Sequence, residues 1–246
     1  MKKIVNLLLA TAILFPLGAC DMFKIDNYDA PNASFHGGIK DASTGELVET
    51  DIQNGSTIRA YEYYNSDQPS TSALTWVIKQ NGEFRNDMVF AANYKIEFIN
   101  GNFFPFNVDK LEIKKGDNQH DFEVTPYIRV KNANITQSGK KITATFTLEA
   151  GKSEVKLAAV RLYAFTDMYV GEQVKFAITD ADAYQTFSPA KTIASGETYT
   201  LTIDTDKYPI NFQYTRNYYF RIGALASISG VGTVRYNYAP YKVIPL

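Results

Sequence analysis

The chain has 246 residues and a formal net charge of −1 at pH 7, with 25 Lys and Arg against 26 Asp and Glu, which excludes the basic surface that nucleic-acid binding requires. Hydrophobic residues at 45% and charged residues at 21% describe a chain that folds around cores. They exclude a disordered tail, a collagen or coiled-coil fibre, and a multi-span transporter.

Met1-Lys2-Lys3 gives a positive start, and Ile4 to Phe15 is an apolar stretch too short for a stable membrane span. Leu17-Gly18-Ala19-Cys20 then matches the bacterial lipobox, in which a lipoprotein peptidase cuts before a cysteine already lipidated through its sulfur. Residues 1–19 are therefore expected to be a lipoprotein signal peptide and Cys20 the lipid-attachment residue, an anchor and not a nucleophile. Cys20 is the single cysteine, so an intramolecular disulfide is excluded. Acyl chains would hold the body on a membrane without a spanning helix. Residues 20–31 lack periodicity, end at Pro31, and read as a lipidated tether.

Strand patterns follow. Tyr94, Ile96 and Phe98 alternate with Lys95 and Glu97, Leu111 and Ile113 with Glu112, and Phe122 and Val124 with Glu123. The clearest alternation turns Ile142, Ala144, Phe146 and Leu148 inward and Thr143, Thr145 and Thr147 outward; Tyr199, Leu201 and Ile203 repeat it. Helical periodicity is lacking, with one turn at most over 180–184. Turn signals recur at Thr44-Gly45, Asn54-Gly55, Asn81-Gly82, Asn100-Gly101, Ser138-Gly139, Ala150-Gly151 and Ser195-Gly196. Pro126 interrupts a strand pattern and marks a boundary. The expected fold is all-β, two tandem antiparallel β-sandwiches over 32–126 and 127–246.

The chemistry is sparse. His36 and His120 are the only imidazoles, each beside a turn, and no Gly-x-Ser-x-Gly elbow surrounds a serine, so no catalytic residue is nominated. Zinc lacks ligands. Asp180-Ala181-Asp182 and Asp204-Thr205-Asp206 have alternate-acid spacing without the loop and distal glutamate of a calcium site, so no metal and no cofactor is expected. With 17 Tyr and 16 Phe, aromatic faces are the remaining resource. A flat ring can cover the C–H face of a sugar while nearby amides and carboxylates bond its hydroxyls. Trp76 is either a core residue of the first sandwich or such a platform. Phe103 and Phe104, in Phe103-Phe104-Pro105-Phe106, either fold onto the core or form a contact patch. Tyr61, Tyr63 and Tyr64 surround Glu62, which turns at least one outward. Tyr236 and Tyr238 carry the same two readings on the last strand.

Gly38-Ile39-Lys40-Asp41, Thr44-Gly45-Glu46-Leu47-Val48, Asn81-Gly82-Glu83-Phe84 and Asn93-Tyr94-Lys95-Ile96 resemble the carboxypeptidase-regulatory-like, transthyretin-type sandwich. Asn93 stands where that pattern prefers glycine, and asparagine tolerates a positive φ there. Tyr218-Tyr219-Phe220-Arg221-Ile222-Gly223-Ala224 and Val234-Arg235-Tyr236-Asn237-Tyr238 look like the last hairpin of a fibronectin-type-III-like sandwich, with Tyr218 or Tyr219 as corner tyrosine. Together with the lipobox, Asn27-Tyr28-Asp29-Ala30-Pro31, Ile58-Arg59-Ala60-Tyr61-Glu62 and Pro126-Tyr127-Ile128-Arg129 are similar to a Bacteroidetes-type family of two-domain surface lipoproteins of unknown function. The resemblance implies a place in polysaccharide-uptake loci, beside a TonB-dependent transporter and its lid lipoprotein. The expected function is thus a non-enzymatic, lipid-anchored accessory at the outer-membrane surface that binds oligosaccharide. The alternative is a structural lipoprotein that binds only the transporter complex.

Overall fold

The computed structural model describes residues 30–64 and 67–246. The leader, Cys20 and the tether up to Asp29 lie outside the described residues. Among the described residues, sixteen strands, β1 to β16, and one 3-10 turn at Thr205–Lys207 make up the regular structure.

The first sandwich opens with β1 (Ala33–Asp41), β2 (Thr57–Tyr63), β3 (Leu74–Val77), β4 (Glu83–Val89) and β5 (Ala92–Phe98). It closes with β6 (Phe106–Ile113), β7 (Gly116–Gln119) and β8 (Phe122–Val124). One sheet has the order β3-β2-β5-β6, and the other centres on β1, paired with β4 on one side and with β7 and β8 on the other. Phe35, Ile58, Ile96, Phe98 and Phe122 fill the space between them, each 2% exposed or less. β1 pairs antiparallel with β4 but parallel with β7 and β8, so this sheet is mixed where antiparallel pairing alone was expected. After β6 the chain crosses from one sheet to the other, and it therefore runs alongside β1 in the same direction. Asn93 lies inside β5, and its backbone is not left-handed, so the turn expected there falls two residues earlier at Phe90-Ala91.

The second sandwich comprises β9 (Ile128–Ser138), β10 (Lys141–Ala150), β11 (Lys156–Phe165), β12 (Tyr184–Thr192), β13 (Thr198–Asp204), β14 (Asn217–Ser227), β15 (Asn237–Tyr238) and β16 (Lys242–Pro245). Its sheets run β13-β10-β9 and β12-β11-β14, the latter closed by β15 and β16 on the far side of β14. A three-stranded sheet thus faces a five-stranded one. Ile142, Ala144, Phe146 and Leu148 point inward, as the alternation requires, opposite Ile203, Leu201 and Tyr199. The corner tyrosine is Tyr218: it is fully buried, and its hydroxyl donates to the Tyr214 carbonyl at 2.9 Å. Tyr94 makes the same four-residue bond to Phe90, also at 2.9 Å, in the first sandwich.

A polar junction joins the two sandwiches. Arg129, at the start of β9, grips the Asp41 carboxylate at the end of β1 through two nitrogens, at 2.5 and 2.8 Å. Asn102 and Asn237 clasp across it: Asn237 Nδ2 donates to the Asn102 carbonyl at 2.7 Å, and Asn102 Nδ2 to that of Tyr236 at 3.1 Å. Deepest is Arg221 of β14, with no exposed surface. Its nitrogens reach Glu49 Oε2 at 2.7 Å and the carbonyls of Thr50, Val170 and Ala239 at 3.1–3.2 Å, and its guanidinium lies 4.0 Å from the Tyr238 ring centroid. Gly151 lets the β10–β11 loop close on this junction, because a Cβ there would meet the Pro126 oxygen at 1.9 Å.

Candidate functional site

Most of the aromatic residues that the sequence nominated for surface contact are interior. Trp76 is 6% exposed, with its ring 5.6 Å from both Phe35 and Tyr94, so it is a core residue of the first sandwich. Phe103 packs on Phe98 at 5.7 Å and is likewise buried. Tyr236 and Tyr238 face outward from their own sheet but are covered by the junction, where they pack on Tyr163, and Tyr238 donates to Asp51 at 2.5 Å. A direct contact role is therefore withdrawn for Trp76, Phe103, Tyr236 and Tyr238. Phe104 is half-buried: Tyr127 meets it edge-on at 5.0 Å, and the Lys152 ammonium sits 3.9 Å from its centroid, at the side of a shallow recess with Glu154, Ser227 and Ser229.

Tyr63 and Tyr64 remain accessible, and Tyr61 joins Tyr63. In β2, Ile58 and Ala60 turn into the core, so Arg59, Tyr61 and Tyr63 line the opposite, open face at intervals of about 6.6 Å. Register brings β5 partners to them: Arg59 lies opposite Glu97, and Tyr61 opposite Lys95. The Tyr61 hydroxyl bonds Glu97, and the Arg59 guanidinium and Lys95 ammonium stand 5.5 and 5.8 Å from its ring centroid. Lys95, at 2.7 Å, and then Tyr61 hold the Glu97 carboxyl below its ordinary pKa, so it is ionised at neutral pH.

Tyr63 has a similar set. Its hydroxyl donates to Asp109, and Lys110 stands 5.5 Å from its ring centroid. A bulge in β6 brings those two residues there: Ile96 pairs with Val108, but Tyr94 pairs with Leu111, which leaves Asp109 and Lys110 together opposite Lys95, with Lys110 at φ 51°. The result is a stripe of two phenols, each bonded to a carboxylate and flanked by cations, on the open face of a sheet. Tyr64, 64% exposed, follows the last paired residue and lies near the buried Tyr94 phenol, so it is accessible but not part of that stripe. Aromatic area beside fixed acceptors and donors is suited to a ligand with apolar faces and many hydroxyls.

The junction forms one side of a second concavity of about 520 Å³, bordered by Glu46, Leu47, Lys131 and Pro240. Its deepest charged groups, Asp41 and Arg129, already saturate each other. Burial alone would raise the Asp41 pKa, but Arg129 and Ser43 outweigh burial and lower it.

The remaining sequence candidates are engaged elsewhere. His36 Nε2 lies 3.0 Å from Asp117, whose other oxygen accepts the Ser34 hydroxyl at 2.5 Å, so the carboxylate, and not the imidazole, meets the serine. His120 stands edge-on to Phe122 at 4.7 Å. Asp180 and Asp182 converge on the Lys207 ammonium at 3.2 and 3.9 Å, so a lysine neutralises the alternate-acid pair. Asp204 caps the 3-10 turn through Asp206 N–H. Among the described residues, no cluster of three or more His, Cys, Asp or Glu could hold a metal, and no helix is long and apolar enough to cross a membrane.

Residues 33–125 match the family model described as "Protein of unknown function (DUF3823) N-terminal domain", and residues 128–242 match "Domain of unknown function (DUF3823_C)". Among solved structures, a Bacteroides uniformis protein described as a "putative carbohydrate binding protein" is 51% identical, with a TM-score of 0.83; the match covers 88% of this chain and 100% of that one. A DUF3823 family protein from Bacteroides ovatus shares the fold at 19% identity and a TM-score of 0.68, covering 87% of this chain and 98% of its own. One from Parabacteroides merdae does so at 17% and 0.65, covering 88% and 100%. No curated protein matches the chain.

Proposed function

Because the chain belongs to the two-domain DUF3823 family, we propose that it is a non-enzymatic glycan-binding protein, anchored by a lipid on Cys20 at the bacterial outer-membrane surface. It would serve as an accessory to a TonB-dependent transporter and its lid lipoprotein in polysaccharide uptake. The observation that carries the reading is the Tyr61–Tyr63 stripe, with Glu97 and Asp109 bonded to its phenols. Each ring offers a surface for the C–H face of one sugar, and Arg59, Lys95 and the two carboxylates are donors and acceptors for the hydroxyls. The 51% identical Bacteroides uniformis protein, with its "putative carbohydrate binding" description, supports the ligand class. A non-enzymatic role is supported by the two imidazoles, one paired with Asp117 and the other packed on Phe122.

Titration of the protein against a panel of plant and host polysaccharides tests the reading. Binding to at least one is expected, and replacing Tyr61 or Tyr63 by alanine should weaken it about tenfold, equivalent to about 1.4 kcal/mol for one lost stacking surface. Binding to none of them, or affinity unchanged in the Tyr61→Ala Tyr63→Ala double variant, sinks it. Co-purification with the transporter without any glycan affinity would favour the partner-binding alternative.

A further inference from the structure

Two ends of the first sandwich differ in what they expose. At one end, Asp41, Thr50, Gln80 and Asn102 are spent on the junction with the second sandwich. At the opposite end, β4 turns into β5 through Phe90-Ala91, and there the chain enters the fold: Asn32 N–H donates to the Val89 carbonyl at 3.1 Å, and Asn32 Oδ1 accepts from Ala91 N–H at 2.9 Å. Met88 is 71% exposed at this turn and Phe90 38%. The Ile78–Phe84 bridge sets β3 antiparallel to β4, so Leu74, four residues before Ile78, and Met88, four after Phe84, reach the same end, and Leu74 is 48% exposed. Tyr64 is near enough to perturb the Tyr94 phenol, which bonds Phe90, and is the most exposed ring of the group. Large apolar side chains that stand open together call for a partner.

We propose that this end is a membrane-contacting tip, on which Met88, Phe90 and Leu74 rest in the headgroup region of the bilayer that holds the Cys20 lipid. The inference rests on the reading of Cys20 as acylated. Cys20 lies ten positions before Ala30, and at about 3.5 Å per step the connecting chain keeps the tip within about 35 Å of the lipid. Three apolar side chains would not hold a protein on a membrane alone. Tethered this closely, their effective concentration at the bilayer is high, and a weak contact suffices to fix orientation. Charge does not oppose it, since Asp87 beside Met88 is paired with Arg85 at 2.7 Å. A second exposed apolar position, Ile210, belongs to the loop after β13, at the end of the second sandwich remote from the junction. The β10–β13 pairing sets Asp204 opposite Lys141, at the end of β10 away from the Gly151 loop that closes on the junction, so the loop bearing Ile210 lies on the side of the second sandwich away from the first.

The experiment couples the chain from Cys20 onward, through that thiol, to maleimide-bearing lipid in phosphatidylethanolamine–phosphatidylglycerol vesicles containing bromine-labelled acyl chains. Phe90→Trp and Ile210→Trp are compared with the parent, whose buried Trp76 supplies a constant background. Bromine should quench the added emission at position 90 and leave that at position 210 untouched, and Met88→Ser in the Phe90→Trp protein should reduce the quenching. Equal quenching at both positions, or none at 90, overturns the proposal. So does emission at 90 that is shielded without quenching and accompanied by a dimer in sedimentation, which would assign the tip to a second copy. Because the lipid is attached chemically, lack of acylation in cells would leave these results unchanged; fatty-acid labelling of the cellular protein tests that premise separately.

Discussion

Replacing Arg221 by methionine removes the charged centre of the junction while keeping most of its length. The guanidinium is wholly buried and bonds Glu49 Oε2 at 2.7 Å and three carbonyls at 3.1–3.2 Å, from both sandwiches and from the Val170 segment. The substitution leaves Glu49 facing apolar surface, and burial already raises the pKa of that carboxyl despite the arginine beside it. Breaking a buried pair by deleting one member costs about 3–5 kcal/mol, and the orphaned carbonyls hold the figure at the upper end. In a chain of this size that lowers the melting midpoint by about 10 °C or more. Calorimetry and guanidinium denaturation would measure it. Adding Glu49→Gln to Arg221→Met should recover part of the loss, because the uncompensated charge is gone while the carbonyls stay unpaired. A single variant that melts within about 2 °C of the parent, less than 1 kcal/mol at this size, would refute the view that this arginine locks the two sandwiches.

Tyr218→Phe should cost about 1 kcal/mol by deleting the bond to the Tyr214 carbonyl, and Tyr94→Phe about the same through Phe90, both read from urea midpoints. Burial raises the Asp51 pKa against the opposing bond from Tyr238. The folded state therefore holds that proton more tightly than the unfolded chain, so this group's contribution to stability grows as pH falls from the raised folded value toward about 4, and it is least favourable at neutral pH. In Asp51→Asn that slope should vanish in denaturant midpoints taken between pH 7 and pH 4. Asp41 has the opposite sign: its lowered pKa adds stability above about pH 4 that is lost as pH falls through the folded value, so Asp41→Asn should flatten the acid limb alone.

Strands such as 142–148 and 199–203 were legible because each has one face in its own core, and a two-residue period reports that directly. The same logic explains why the aromatics were not. Alternation in β14 and β15 turns Tyr219, Arg221 and Tyr238 away from the second core, but it cannot say that another sandwich covers that face. The covering left one local trace, an arginine set between Phe220 and Ile222 in an otherwise apolar run. Trp76 sits in an edge strand whose neighbours Thr75 and Val77 are exposed, so its apolar flank gave no direction. The open stripe also left a trace: Val108 and Leu111 are separated by two polar residues where strict alternation allows one, and that slip is the β6 bulge beside Tyr63.

The two tyrosine-bearing faces use the same parts with different cover. At the junction, Tyr238 donates to the Asp51 carboxylate, and Arg221 lies over its ring at 4.0 Å, with every group enclosed by the neighbouring sandwich. On β2, Tyr61 bonds the Glu97 carboxylate, and Arg59 stands 5.5 Å from its ring, and all three residues are only partly buried. The first set shows what completes such an arrangement: apolar contact on the ring and a polar group for each charge that water would otherwise solvate. Protein supplies both at the junction. In the proposed glycan-binding role, a pyranose, with its apolar C–H face ringed by hydroxyls, would bring both to the open face in one unit. The tip proposed at the β4–β5 turn would add the geometry: β2 runs from the junction toward that end, so in the proposed orientation its stripe would stand upright from the bilayer, facing an approaching polysaccharide.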